Sequence, residues 1–166
     1  MEIREVSALG PAELAQLVDL LVAVVDDGAS VGFLPPLERG EAEAYWRGVP
    51  GPGAVLLVAE RGGRIVGTVQ LQLAMRANGR HRAEVAKLMV HPDARREGLG
   101  RALMAAIEAV ARREERSLLV LDTRDGDPSN ALYRALGYQE VGLIPGYARS
   151  ASGELNATVF YFKLLA

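Results

Sequence analysis

The fold is decided by the stretch Val90-His91-Pro92-Asp93-Ala94-Arg95-Arg96-Glu97-Gly98-Leu99-Gly100-Arg101, which joins a strand to a helix through a glycine-containing turn. Apolar residues alternate before it, from Arg82 to Val90, and return at helical spacing after it, from Gly98 to Glu115. Such a turn at a helix start presents several unpaired backbone N–H groups to one point, where an anion can bind. Gly98 and Gly100 have no Cβ that would hold a phosphate away from those amides. The sequence therefore predicts a pyrophosphate-binding turn.

The rest of the chain reads as alternating helices and strands around this turn. In chain order, we predict a strand at 2–7, helices at 14–25 and 37–46, strands at 54–59, 65–73 and 82–90, a helix at 98–115, a strand at 118–121, a helix from Asp127-Pro128 to Leu136-Gly137, and strands at 138–144 and 157–165. Turn signals at Gly62-Gly63 and Asn78-Gly79 separate the three central strands. These strands should form an antiparallel meander in an α/β protein of about seven strands and four helices.

Composition limits the classes of function. The chain has 166 residues, of which 49% are hydrophobic and 24% charged, and its formal net charge is -2. We expect one domain over residues 1–166 without a surface built for nucleic acid, and no apolar run reaches the ~20 residues of a membrane span. There is no cysteine, which excludes disulfides and a thiol nucleophile and fits a cytoplasmic protein.

The glycine turn has other interpretations when taken alone. Two glycines at a helix start often form only a tight turn. The GxxxxGK[ST] loop of nucleotide-binding proteins is absent, and the spacing is not the GxGxxG that follows the first strand of a dinucleotide-binding fold. His81 and His91 have no partners at ligand spacing, so we expect no metal site.

The turn and its flanks resemble the GNAT acetyltransferase family. The family's [Arg/Gln]-x-x-Gly-x-[Gly/Ala] motif is met by Arg95, Gly98 and Gly100, and the resemblance extends from about Ala54 to Gly142. It implies a mixed sheet whose central strands splay apart to admit the pantetheine arm of acetyl-CoA. The residues expected to hold the cofactor are Leu88, Met89, Val90, Arg95, Arg96, Glu97, Gly98, Leu99, Gly100 and Arg101.

A second segment, from Asn130 to Tyr138, resembles the family's Asn…Leu-Tyr-x-x-x-Gly-Phe helix. Asn130 and Tyr133 are one helical turn apart, so both side chains can face one cleft. By resemblance, Asn130 would contact the pantetheine and Tyr133 would protonate the departing thiolate. A phenol with a pKa of about 10 is protonated at neutral pH and can give that proton. The alternative for Tyr133 is a purely structural tyrosine at the edge of the core.

The attacking amine must lose a proton, so a base is needed. Glu84 is the candidate, because a glutamate at the matching place serves as base in the histone-modifying branch of the family. An ordinary solvent-facing glutamate is the equal alternative, and Asp122 is the second candidate base. Glu97 departs from the family pattern, in which many members have a basic or small residue, and its carboxylate would repel pyrophosphate. We expect the attraction of the backbone amides to outweigh this repulsion.

The acceptor is the least defined part. The tail from Gly142 to Ala148 resembles a bacterial subgroup that includes the tabtoxin resistance acetyltransferase, which implies a small amino-acid-like antimetabolite or another small amine. A protein N-terminus or lysine is the competing acceptor, and a non-catalytic CoA-binding sensor is the alternative from another class. Members of the family often pair through their last strands, so the resemblance is compatible with a homodimer.

Overall fold

The structure is a computed structural model that describes residues 1–166. It contains seven strands and four helices, as the sequence predicts. The strands are β1 Glu2–Val6, β2 Ala54–Arg61, β3 Arg64–Leu73, β4 Arg82–Val90, β5 Leu118–Arg124, β6 Gln139–Arg149 and β7 Leu155–Leu164, and the helices are α1 Pro11–Asp26, α2 Arg39–Arg47, α3 Leu99–Arg113 and α4 Ser129–Ala135.

All seven strands belong to one sheet in the order β1-β2-β3-β4-β5-β7-β6. The predicted central meander is confirmed, because β2, β3 and β4 pair antiparallel in sequence order. Only β4 and β5 run parallel, and their ladder stops after three pairs, the last of which is Glu84 with Val120. Beyond that pair the two central strands separate. The mixed, splayed α/β sheet expected from the resemblance is therefore confirmed.

Helices α1 and α2 cover one face of the sheet. Helix α1 begins with a capping box, in which the Glu13 carboxylate accepts the Gly10 amide at 3.1 Å, and it buries the apolar residues of its sheet-facing side. Trp46 of α2 is fully buried in the same cluster. Helix α1 ends beside the opening between β4 and β5, and residues 27–32 of the loop that follows it form one wall of that opening.

Helices α3 and α4 cover the opposite face. Helix α3 buries Leu99, Leu103 and Ile107 against the sheet, while arginines at its end suit the negative pole of the helix dipole. Buried Glu108 accepts two hydrogen bonds of 2.8 Å from Lys163 of β7, whose ammonium also donates to the Leu136 carbonyl. This ion pair fixes the end of α4 against the sheet.

Two strands differ from the prediction. The last hairpin is longer, since β6 continues through Pro145 to Arg149 by means of an irregular register between Ile144 and Ala148. Strand β5 is also longer than predicted, since it continues to Arg124; it places Leu121 in the core and exposes Asp122 on the other side, because the splay leaves that side open. No helix combines the length and the hydropathy required to cross a bilayer.

Candidate active site

A cleft of about 570 Å³ opens where β4 and β5 separate. Its walls are β4 from Glu84 to Val90, the end of β5, the start of α4 and the loop after α1. Past Glu84 no β5 residue pairs with β4, so this side of β4 is an open strand edge inside the cleft. The predicted cofactor residues Leu88, Met89 and Val90 line it, and their free edge suits a ligand that carries amide groups.

A bulge at Lys87 bends β4 at this point. Lys87 has a φ of 53°, and the register with β3 shifts between Thr68 and Gln70. The Thr68 hydroxyl donates to the Lys87 carbonyl at 3.1 Å, which holds the bulge from the neighbouring strand. Because a bulge increases local bending, it helps to turn the end of β4 away from β5.

The glycine turn, here called the anion-binding turn after its predicted role, lies at the start of α3. Gly98 has a φ of 79°, which an L side chain adopts only with strain, and Arg96 before it also has a positive φ of 62°. The amides of residues 96–98 donate no hydrogen bond within the chain, and the first amide of α3 that is paired is Ala102, which donates to the Gly98 carbonyl at 3.0 Å. These free amides at the positive end of a helix fit a diphosphate.

The charged side chains around the turn have separate roles. Arg95 donates to the Val90 carbonyl at 3.2 Å and pairs with Asp27, so it joins the end of β4 to the end of α1. Arg96 and Arg101 are exposed and make no ion pair within the chain, which leaves both guanidinium groups available to an anion. Glu97 forms an ion pair with Arg61 of β2. That pairing offsets the carboxylate charge that departs from the family pattern.

Tyr133 lines the cleft from α4. The residue is 6% exposed, and its ring contacts the rings of Tyr138 and Tyr161 at 5.9 Å between centroids. Its hydroxyl makes no hydrogen bond within the chain and retains some solvent exposure. It is therefore accessible from the cleft. Burial, with Asp127 and Asp122 nearby, raises the pKa of Tyr133 far above neutrality. The phenol therefore carries its proton throughout the physiological range.

Asn130 is buried and faces inward rather than into the cleft. Its amide nitrogen donates to the carbonyls of Arg124 and Asp127, each at 2.9 Å, and its oxygen accepts the Tyr161 hydroxyl at 2.7 Å. These bonds tie the end of β5 to the start of α4. In the structure Asn130 thus holds the turn that positions α4, and its contact with pantetheine stays a prediction.

The two candidate bases lie near each other in the cleft, on neighbouring strands. Glu84 of β4 and Asp122 of β5 both have exposed side chains that line it. Partial desolvation raises the pKa of Glu84, and the nearby Asp122 carboxylate raises it further, while Lys87 opposes the shift. Desolvation also raises the pKa of Asp122. A raised pKa makes either carboxylate a better proton acceptor near neutral pH.

Sequence reasoning missed Lys87 and Arg124. Lys87 lies 5.8 Å from the centroid of the Tyr45 ring, and desolvation lowers its pKa although both candidate bases oppose the shift. Arg124 donates to the Gly28 carbonyl at 3.3 Å across the cleft. No local sequence signal identifies either residue. The position of Lys87 depends on the bulge in β4, and that of Arg124 on a contact with a residue 96 positions away.

A splayed mixed sheet with a free strand edge and a tyrosine in one cleft, beside a turn of free backbone amides, is the arrangement expected of a protein that binds a long phosphate-bearing cofactor and transfers its acyl group. The model of the acetyltransferase (GNAT) family matches residues 21–138. The chain belongs to this family and is an acetyl-CoA-dependent N-acetyltransferase.

Known relatives agree with this assignment. An uncharacterized N-acetyltransferase from the hisH-hisA intergenic region of Azospirillum brasilense is 33% identical over 126 residues, which cover 74% of this chain and 75% of that protein. A ribosomal-protein-alanine N-acetyltransferase from Brucella melitensis has a TM-score of 0.83 at 24% identity, over 99% of this chain and all of that one. An acetyltransferase from Salmonella typhimurium with acetyl-CoA has a TM-score of 0.80 at 20% identity, over 99% and 94%.

Proposed function

We propose that the chain transfers the acetyl group to the primary amine of a small molecule by direct attack. The observation that carries this proposal is the presence of Glu84, Asp122 and Tyr133 in one cleft. The two carboxylates attract a cationic amine, and either can accept its proton. The tyrosine can supply the proton that the leaving thiolate needs.

The division of roles follows from the protonation states. Acetyl-CoA supplies an acetyl group activated as a thioester. Glu84 accepts a proton from the amine nitrogen, directly or through water, because a lysine-type amine with a pKa of about 10.4 is otherwise charged at pH 7. As the N–C bond forms and the C–S bond breaks, Tyr133 donates its Oη proton to sulfur, and the second proton that the nitrogen loses passes through water to the tyrosinate. Because the chain has no cysteine, a covalent acetyl-cysteine intermediate is excluded.

The cofactor half of the cleft is assigned on the same grounds. The free amides of residues 96–98 and the guanidinium groups of Arg96 and Arg101 would hold the phosphates. The edge of Leu88 to Val90 would pair with the pantetheine amides. These assignments leave the end of the cleft near Gly28 to the acceptor.

The shape of the acceptor end favours a small molecule over a peptide. The hydrogen bond from Arg124 to the Gly28 carbonyl joins the β5 wall to the loop after α1. A peptide needs a groove that is open at both ends, whereas this hydrogen bond closes one side of the acceptor end of the cleft. Solved structures with this fold include a ribosomal-protein-alanine N-acetyltransferase and an aminoglycoside 6'-N-acetyltransferase, which are 24% and 19% identical to this chain, so they support the fold and not the acceptor.

The proposal is tested by incubating the protein and acetyl-CoA with a set of small primary amines and with peptides bearing a free N-terminus or lysine. We expect CoA release and an N-acetylated product, identified by mass spectrometry, with at least one small amine. Transfer to peptides alone would contradict the small-molecule acceptor. Binding of acetyl-CoA without transfer to any amine would favour the sensor.

We also propose that the last hairpin pairs with a second copy. Strand β6 is a sheet edge, and it exposes Val141, Leu143, Ile144 and Tyr147. An edge strand with exposed apolar side chains is a template for pairing with another chain. Light scattering should report a dimer for the unmodified protein and a monomer for Val141→Glu; a monomer at all concentrations would contradict this proposal.

A further inference from the structure

A second cavity of about 240 Å³, here called the side chamber, adjoins the cleft at its acceptor end. It lies between residues 28–35 after α1 and residues 148–151 at the end of β6. Arg124 and Ala148 line both spaces, as do several residues of the loop after α1. A molecule whose amine lies in the cleft can therefore reach Arg124, and it enters the side chamber when the 3.3 Å hydrogen bond between Arg124 and the Gly28 carbonyl opens.

The side chamber and the cleft differ in the charges that line them. Arg124 and Arg149 are the ionisable residues that line the side chamber, and no carboxylate lines it. The hydroxyl-bearing residues Ser30 and Ser150 complete its polar lining. The cleft, by contrast, contains carboxylates as well as cations, and Glu84 and Asp122 supply negative charge where the amine is proposed to react. This arrangement complements a molecule with a cation at one end and an anion at the other.

Both arginines are partly restrained and retain free donors. Arg124 donates one N–H to the Gly28 carbonyl at 3.3 Å and lies 3.5 Å from the Asp127 carboxylate. Arg149 donates to the Gly153 carbonyl of the hairpin turn. A guanidinium has five N–H donors, so each keeps donors for a ligand, and its planar fork matches a carboxylate or phosphonate.

We propose that the side chamber binds an anionic group of the acceptor, so that the substrate is an amine that also bears a carboxylate, phosphonate or phosphinate. This inference rests on the proposed function and narrows it. Arg124 and Arg149 then determine specificity, since they hold the anionic end while the amine faces Glu84. The strength of the effect follows from hydrogen bonds between charged groups, which can change affinity about tenfold each.

The test compares two matched series of acceptors. Each ω-amino acid of three to six carbons is paired with the alkylamine of the same carbon number, and kcat/KM for acetyl transfer is measured for both. The ratio within a pair is the preference for an anionic group. The variants are Arg124→Gln and Arg149→Gln, and the control is Arg76→Gln, which removes an exposed arginine outside both cavities.

We expect the unmodified protein and Arg76→Gln to prefer at least one ω-amino acid by about tenfold, mainly through KM. Each side-chamber variant should reduce that ratio several-fold. Arg149 is exposed, so its variant tests the idea even if Arg124→Gln disturbs the loop. A ratio near one, or a ratio that neither variant changes, would overturn the inference while leaving amine transfer intact. Transfer to neither series would contradict the proposed function itself and remove the basis of the inference.

Discussion

The Tyr161 hydroxyl donates a hydrogen bond to Asn130 Oδ1 at 2.7 Å, and both residues are buried. Through the Asn130 amide, this bond is linked to the carbonyls of Arg124 and Asp127. The start of α4 is therefore held from behind by β7. Tyr133, one turn further along α4, contacts the same Tyr161 ring.

Replacing Asn130 with alanine should lower the free energy of unfolding by about 2 kcal/mol, because it leaves the buried Tyr161 hydroxyl without a partner and removes the second donor from two carbonyls that keep their backbone partners. Tyr161→Phe removes only one donor and should cost about 1 kcal/mol. Urea unfolding measures both. If Asn130→Ala is as stable as the unmodified protein, the bonds do not hold the turn.

Replacing Tyr133 with phenylalanine should reduce kcat about a hundredfold, since the proton to the leaving sulfur is lost. Acetyl-CoA affinity should change little. Tyr138→Phe is the matched control: its ring contacts Tyr133, but the residue does not line the cleft, so removal of its hydroxyl should leave kcat unaltered. Equal rates for the two variants would refute the role of Tyr133.

The pH profile should identify the base. Because the pKa of Glu84 is raised above its ordinary 4.5, kcat/KM should increase with pH through that raised value as the carboxylate loses its proton. Glu84→Gln should remove this limb and lower kcat about a hundredfold. Should Asp122→Asn remove the limb while Glu84→Gln retains it, the base is Asp122.

A Lys87 variant tests the electrostatic origin of the same pH profile. Its ammonium favours the charged form of Glu84, so Lys87→Met should raise the pKa of Glu84 further and move the acid limb to higher pH. Rates measured from pH 5 to 9 reveal the direction. A shift to lower pH would contradict the electrostatics described for the cleft.

Arg61 should affect cofactor binding although it lies on β2. Arg61→Ala leaves the Glu97 carboxylate unpaired beside the anion-binding turn, so acetyl-CoA affinity should fall by about threefold, more at low salt. The double variant Arg61→Ala, Glu97→Gln should restore it. Calorimetry at two salt concentrations provides the test, and an unchanged affinity in the single variant would show that Glu97 is electrostatically unimportant.

Local patterns predicted the elements that have strong periodicity or clear punctuation. Leu99, Leu103 and Ile107 predicted the buried side of α3, and Asn78-Gly79 predicted the reversal between β3 and β4. Tyr133 and Glu84 were found through a family pattern and do share one cleft. Their catalytic roles remain predictions.

Long-range contacts were beyond the reach of local patterns. The bulge at Lys87 depends on Thr68 of the next strand, and the inward orientation of Asn130 depends on Tyr161, 31 positions later. The side chamber joins Arg124 to a hairpin end that the predicted strand did not reach. Such features arise only when the sheet assembles.

The most direct test of the account is a calorimetric titration with acetyl-CoA of the unmodified protein, Gly98→Asp and Gly63→Asp. Both glycines have a positive φ and open space at the Cβ position, so the substitutions impose similar strain, but only Gly98 lies at the anion-binding turn. We predict a Kd in the low micromolar range, about -8 kcal/mol, for the unmodified protein and Gly63→Asp, and a loss of at least about a hundredfold in Gly98→Asp. Equal affinity in all three proteins, or no binding by any, would contradict the assignment of this turn and cleft to acetyl-CoA.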